Sequence, residues 1–321
     1  MSNVEVHPDV TVCGGRAGVA TEPVRDVIPG RAVQLGESTR VRRLLPTLGR
    51  RMVGAWCFID HYGPDNIADE PGMQVPPHPH IGLQTVSWLL DGEVLHRDSL
   101  HSEQLIKPGQ LGLMTSGAAI AHSEESPRSH LPILHGAQLW VALPDAHRHV
   151  APAFEYHDGL PALDDRGIRA TVLMGELAGV RSPGTAYSPL VGVDVAVSSA
   201  ARCLLPLEPD FEHAVLVMSG TAEVDGVSPA PGSLLYLGCG RADLALSADQ
   251  DARLLLLGGE PFAEEIVMWW NFVARTGEEI AAAREEWMTG ERFGAVTGYR
   301  GDRLTAPTLP SIPLKPRGRE R

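Results

Sequence analysis

Residues 76–93 read "PPHPHIGLQTVSWLLDGE". From Leu83 onward, β-branched, aromatic and aliphatic residues run to an Asp-Gly step, which predicts a strand closed by a turn at Gly92. His78 and His80 stand just ahead of it. Residues i and i+2 of an extended backbone point the same way, so the two imidazoles share a face, with Pro79 stiffening the link. Downstream, "PGQLGLMTSGAAIAHSEES" (108–126) repeats the spacing with His122 and Glu124. Four ligand-type side chains thus arrive as two same-face pairs. Three neutral imidazoles and one carboxylate suit Fe(II), Ni(II), Cu(II), Mn(II) or Zn(II), and on an octahedral ion they leave exchangeable positions. A closed structural zinc site would more often use cysteine, so iron is the expected metal.

Short apolar runs punctuated by the 34 glycines and 26 prolines predict an all-β chain. "PGQLGLMTSG" (108–117) and "PGSLLYLGCG" (231–240) share a leading Pro-Gly, an apolar middle and a closing Gly. Upstream of each, a strand ends at a glycine, Gly92 in one case and Gly220 in the other. This echo predicts two similar barrels in tandem, divided near the polar stretch around residue 155: 1–155 as a metal-binding unit, 156–321 as a metal-free one. Ten of the thirteen histidines fall between residues 61 and 149, and only His213 lies in the second unit proper. The second copy therefore acts as an internal control, keeping the structural glycines without the imidazoles.

His96 and Asp98 share a face and are expected beside the ligands or toward solvent. His61 is expected to hydrogen-bond a loop. His101, His130, His135, His147 and His149 have no partner pattern and are expected at the surface. Thr276 followed by Glu279, then Ile280, Ala283, Trp287 and Met288 at helical spacing and Gly290, predicts a short helix packed on the second barrel. The preceding "MWWNF" (268–272) reads as core packing. The tail from Arg303 is proline-rich and reads as an extended strap or a disordered end.

A net charge of −13 disfavours contact with nucleic acid, and four dispersed cysteines without a CxxC pair argue against a disulfide framework or a zinc knuckle. The N-terminus lacks the pattern of a secretory leader, and no apolar run approaches the ~18 residues of a membrane helix. A cytoplasmic protein, by default monomeric, is expected.

Residues 72–92 resemble the first cupin motif and 108–126 its second. Together with "FIDHYGP", "HRDS", "GGEPFAEEIV" and the terminal helix, the chain resembles the pirin family over nearly all of residues 25–300. The resemblance implies a bicupin: two cupin (jelly-roll) barrels face to face, with iron in the first alone, held by His78, His80, His122 and Glu124. Its members include quercetin dioxygenases, and others are described as regulatory partners of transcription factors or metabolic enzymes.

The chain departs from the family's HPHRGFETV in having Ile81 and Gln84, and from its usual turn in having Ala118 and Ala119. Those changes are expected to remove charge near the pocket mouth. As an enzyme, the protein would present a small aromatic substrate to dioxygen with Glu124 as general base, its ring buried among Leu83, Val86, Trp88, Leu111, Leu113, Leu139 and Val141. As a regulator, it would bind a protein partner through an iron-dependent surface without turnover.

Overall fold

The computed structural model describes residues 22–35 and 39–311, together with residues 3, 5, 8, 11–14 and 314. Two antiparallel β-barrels account for most of them. In the first, a seven-stranded sheet runs Ala153–Asp158, Gln110–Thr115, Leu83–Asp91, Ile133–Ala142, Trp56–Asn66, Thr39–Leu45 and Arg31–Leu35. It is closed by a four-stranded sheet of Gln74–His80, Ile120–Glu125, Val94–Asp98 and Glu103–Ile106.

The second barrel repeats the plan. Its larger sheet runs Ala162–Asp165, Ile168–Leu177, Leu190–Val197, Ala252–Gly259, Glu212–Ser219, Ser233–Gly238 and Asp26–Pro29, and its smaller one Arg202–Pro206, Asp243–Ser247 and Glu223–Val224. The repeat foreseen in the sequence is a repeat of structure. Gln110–Thr115 lies against Leu83–Asp91 in one barrel, as Ser233–Gly238 lies against Glu212–Ser219 in the other.

Side-chain alternation decides what each barrel contains. Val86 and Trp88, Leu111 and Leu113, and Leu139 and Val141 enter an apolar core shared with Leu173, Ala214, Leu216, Leu234, Tyr236, Leu255 and Leu257 of the second barrel. The residues expected to hold a substrate ring are therefore the cement between barrels. Packed face to face, the two large sheets leave the alternate residues to line each interior. In the second barrel these are Val193, Val195, Val215, Val217, Leu235 and Leu254, an apolar filling.

Polar contacts cross the shared core as well. The Trp56 indole N–H donates to the carbonyls of Val191 and Gly258, 3.2 and 3.1 Å away. Glu212 accepts from the Gly54 N–H at 2.8 Å and from the Tyr236 hydroxyl at 2.8 Å.

The helix, Gly277–Thr289, begins as expected, with Thr276 as N-cap accepting from the Glu279 N–H. Its docking differs from the expectation. Ile280, Ala283 and Trp287 pack with Trp269 and Phe272 and with Ile81, Ala119 and Ala121 of the first barrel, so the helix covers the first barrel and not the second. The strap follows it. The Leu304 N–H donates to Pro77, and Arg284 donates to Pro307; Ile312 and Pro313 and the residues after Leu314 lie outside the described ones.

His61 and His135 are buried, contrary to the loop and surface roles expected of them. Their Nε2 atoms lie 3.0 Å apart. Each sits on a strand of the large sheet, Trp56–Asn66 and Ile133–Ala142, where pairing and not a turn fixes it. Burial, then the neighbouring His135 and Arg42, push the His61 pKa down to about 3.

Truncating Trp56 to alanine should cost about 3–5 kcal/mol. Because the core is shared, both barrels should be lost in one transition on urea unfolding followed by tryptophan fluorescence. The depressed pKa of His61 makes it neutral when folded, while the unfolded chain binds a proton at its ordinary value. Stability should therefore be full above about pH 6.5 and fall as pH drops toward 3, with His61→Phe flattening that slope in melts at successive pH values.

Candidate metal centre

Gln74–His80 carries Pro76, Pro77 and Pro79, three residues without an N–H. Only an edge strand accommodates them, and this strand is an edge of the four-stranded sheet. Its partner is Ile120–Glu125, with His122 opposite His78 and a bulge before Glu124. Gly82 then turns the chain sharply into Leu83–Asp91. It has φ +68°, and a Cβ there would meet the Val273 carbonyl at 2.2 Å.

The outcome is a cluster in which His78, His80 and His122, all fully buried, place their ligand nitrogens within 4.8 Å of one another. The Nε2 atom of His80 lies 3.1 Å from that of His78 and 3.1 Å from that of His122. The hydrogen bonds fix which nitrogen bears the proton. His78 Nδ1 lies 2.8 Å from the Pro76 carbonyl and His80 Nδ1 2.9 Å from the Asn271 carbonyl; carbonyls only accept, so both Nδ1 atoms are protonated.

His122 Nδ1 lies 3.4 Å from His96 Nδ1, and His96 Nε2 lies 3.1 Å from Asp98. The carboxylate takes the Nε2–H of His96, which leaves His96 Nδ1 as acceptor and His122 Nδ1–H as donor. All three Nε2 lone pairs therefore converge. Burial keeps the rings neutral, pushing His78 down to about 4 and His80 and His122 well below the usual imidazole value. Neutral imidazoles at this spacing fit a divalent transition ion, and each carries the carbonyl or carboxylate-backed partner typical of such sites.

Glu124 is buried on the same strand as His122, on the barrel interior, but it is not one of the three side chains of that cluster. The Ser87 hydroxyl donates to its Oε1 at 3.1 Å, and Ser87 Oγ lies 2.9 Å from the Gln138 amide. A hydroxyl has one proton. With that proton on Glu124, the amide nitrogen of Gln138, otherwise without a partner, is the group that faces Ser87.

His96 and Asp98 are buried rather than solvent-facing, and His96 stacks on Phe154 at 4.1 Å between ring centroids. Two of the four departures lie elsewhere than expected. Ile81 packs beneath the helix with Trp270 and Phe272, and Gln84 donates to Thr115 and to the Thr185 carbonyl on the side facing the second barrel. Asn271 gave no sequence signal. Its segment reads as aromatic core, which Trp269 and Trp270 are, yet its backbone carbonyl orients a ring 191 residues earlier. Trp140, whose ring meets that of His80 edge-on at 5.2 Å, also lines a cavity of about 40 Å³ with Phe58, Trp269, Trp270 and Asn3.

Replacing His96 with phenylalanine keeps the stacking on Phe154 but removes the acceptor for His122. Divalent-metal affinity, read by competition with a chelator, should fall about 10–100-fold, whereas His101→Phe at an exposed turn should leave it unchanged.

Comparison with known proteins agrees with this architecture. The Pirin family model matches residues 38–141 and the Pirin C-terminal cupin domain residues 192–294. A Pseudomonas aeruginosa protein named "Putative quercetin 2,3-dioxygenase" is 49% identical over 88% of this chain and 90% of its own length. A pirin-like protein of Caulobacter vibrioides is 37% identical over 82% of this chain and 93% of its own. Among solved structures, a quercetin 2,3-dioxygenase from Acinetobacter baumannii superposes with a TM-score of 0.87 at 42% identity, covering 90% of this chain and 96% of that one. With both cupin units matched and the histidine triad in the first, the chain belongs to the pirin family.

Proposed function

We propose that this protein is a metal-dependent dioxygenase of flavonols or related enolic and phenolic compounds, acting as a cytoplasmic monomer. In this reading Fe(II), ahead of Ni, Cu, Mn or Zn, is held by His78, His80, His122 and Glu124. The convergence of three deprotonated Nε2 atoms, each ring pinned through Nδ1, carries the proposal. The names of the P. aeruginosa and A. baumannii relatives support the substrate class. When bound, such an ion supplies Lewis acidity toward a substrate oxygen and electrons for reaction with dioxygen.

The protein's own groups do the rest. Glu124 accepts the proton of the substrate hydroxyl as general base. Ser87 donates to its Oε1, which helps to orient the carboxylate. Trp140, stacked on Phe58, supplies a flat apolar wall beside His80.

The alternative is an iron-dependent regulator that binds a transcription factor or a metabolic enzyme and turns over nothing.

Anaerobic loading with Fe(II) followed by oxygen uptake on quercetin and simpler phenols separates the two. Uptake should be abolished by His122→Ala. It should fall about 10²–10⁴-fold in Glu124→Gln, with metal content measured in the same samples to distinguish a lost base from a lost ion. A fully loaded protein that consumes no oxygen with any of these substrates overturns the enzyme and leaves the regulator.

A further inference from the structure

The second barrel has no triad, but it is not without a site. A cavity of about 630 Å³ opens among Leu177, Leu190, Val191, Leu207 and Phe211, with His213 at its floor. His213 is fully buried, and neither ring nitrogen makes a well-formed hydrogen bond among the described residues, its nearest polar neighbour being the Phe211 backbone. The Ser188 hydroxyl, in the same wall, is also buried and unpaired. We propose that this cavity binds a neutral, hydroxyl-bearing aromatic molecule of the phenol class, independently of the first barrel's metal centre.

The fold does not need an imidazole here. Counting back seven residues from the matched turn glycines, Gly220 and Gly92, His213 corresponds to Thr85 in the first barrel. An unpaired buried polar group costs about 1–3 kcal/mol, so an imidazole kept at an interior position that threonine fills in the sister barrel is a liability unless something pairs with it. Neutral imidazole offers one donor and one acceptor, and a hydroxyl can meet either. Burial, then Arg241, push His213 down to about 4 against a backbone interaction with Phe211 that raises it, so it presents no cation to an anion.

The rim points the same way. Arg181 is paired with Glu176 at 2.6 Å, and Glu208 adds a second carboxylate to the lining, so a carboxylate ligand would find repulsion and no free cation. Leu177, Leu190, Val191 and Leu207 supply the apolar part of the walls. Phe211 lies over the imidazole with centroids 6.2 Å apart and planes tilted by 34°. Phe211 is half-buried, and an aromatic ring that moves it aside gains its stacking face while delivering a hydroxyl to His213.

The test is a titration of the full chain with phenol, benzoate and toluene, followed by methyl chemical shifts of Leu177 and Leu207. Phenol should bind saturably and shift those methyls, with benzoate and toluene weaker by about tenfold or more. His213→Phe, which keeps volume but removes both nitrogens, should weaken phenol to the level of toluene. Ala186→Trp, at the exposed rim, should close the cavity and abolish the shifts even if the first variant fails to fold. Phenol that binds equally to both variants, shifts only groups around Trp140, or does not saturate overturns the site. None of these readings uses oxygen uptake or bound metal, so failure here is separate from failure of the dioxygenase proposal.

Discussion

Two large sheets packed face to face impose one constraint on everything else. Each strand has two faces; once one is committed to the common core, the barrel interior must be built from the alternate residues. The first barrel fills those positions with His78, His80, His122, Glu124, Ser87 and Gln138, and the second with valine and leucine. One topology thus carries a polar chamber and an apolar plug. The difference lies in residue type at matched positions, since the turn glycines at 92 and 220 hold the same left-handed conformation in both.

Much of this was legible before any coordinates. Two same-face pairs at i and i+2, and a second copy of the frame lacking them, were enough to single out the three histidines that converge. The repeat of "PGQLGLMTSG" and "PGSLLYLGCG" was enough for two barrels. Alternation, however, gives two faces without saying which looks inward, and so Val86, Trp88, Leu111 and Leu139 were placed around a substrate when they lie between barrels. The sequence suggests a loop role for His61, at a strand end beside a turn, and a surface role for His135, which has no partner pattern. They are partners across a strand pair, a relation that emerges only from register. A backbone carbonyl such as that of Asn271 has no residue signature at all.

The chain ends are exchanged between the two halves. Asp26–Pro29, near the start, completes the second barrel's sheet beside Ser233–Gly238. After the second barrel, Glu265–Trp269 and Phe272–Ala274, the helix and the strap return to cover the first, with Ile81 bridging to Phe272 and Leu304 to Pro77. Orientation of the His80 ring therefore depends on chain that follows the entire second barrel. A cut between the two repeats would leave the first with its histidines but without the carbonyl that holds one of them.

That dependence has an energetic reason. A chamber lined by imidazoles and a buried carboxylate contributes little apolar burial, and three Nε2 lone pairs separated by 3.1 Å from neighbour to neighbour repel one another. No ring can relieve this by donating to the next, because each Nδ1 proton is already held by Pro76, Asn271 or His96 and moving it would orphan a buried acceptor. A proton placed among them brings a charge into a fully buried site, which is why the pKa values fall. A divalent cation would bring coordinate bonds to all three lone pairs. The shared core, the helix and the strap hold the three rings in this arrangement.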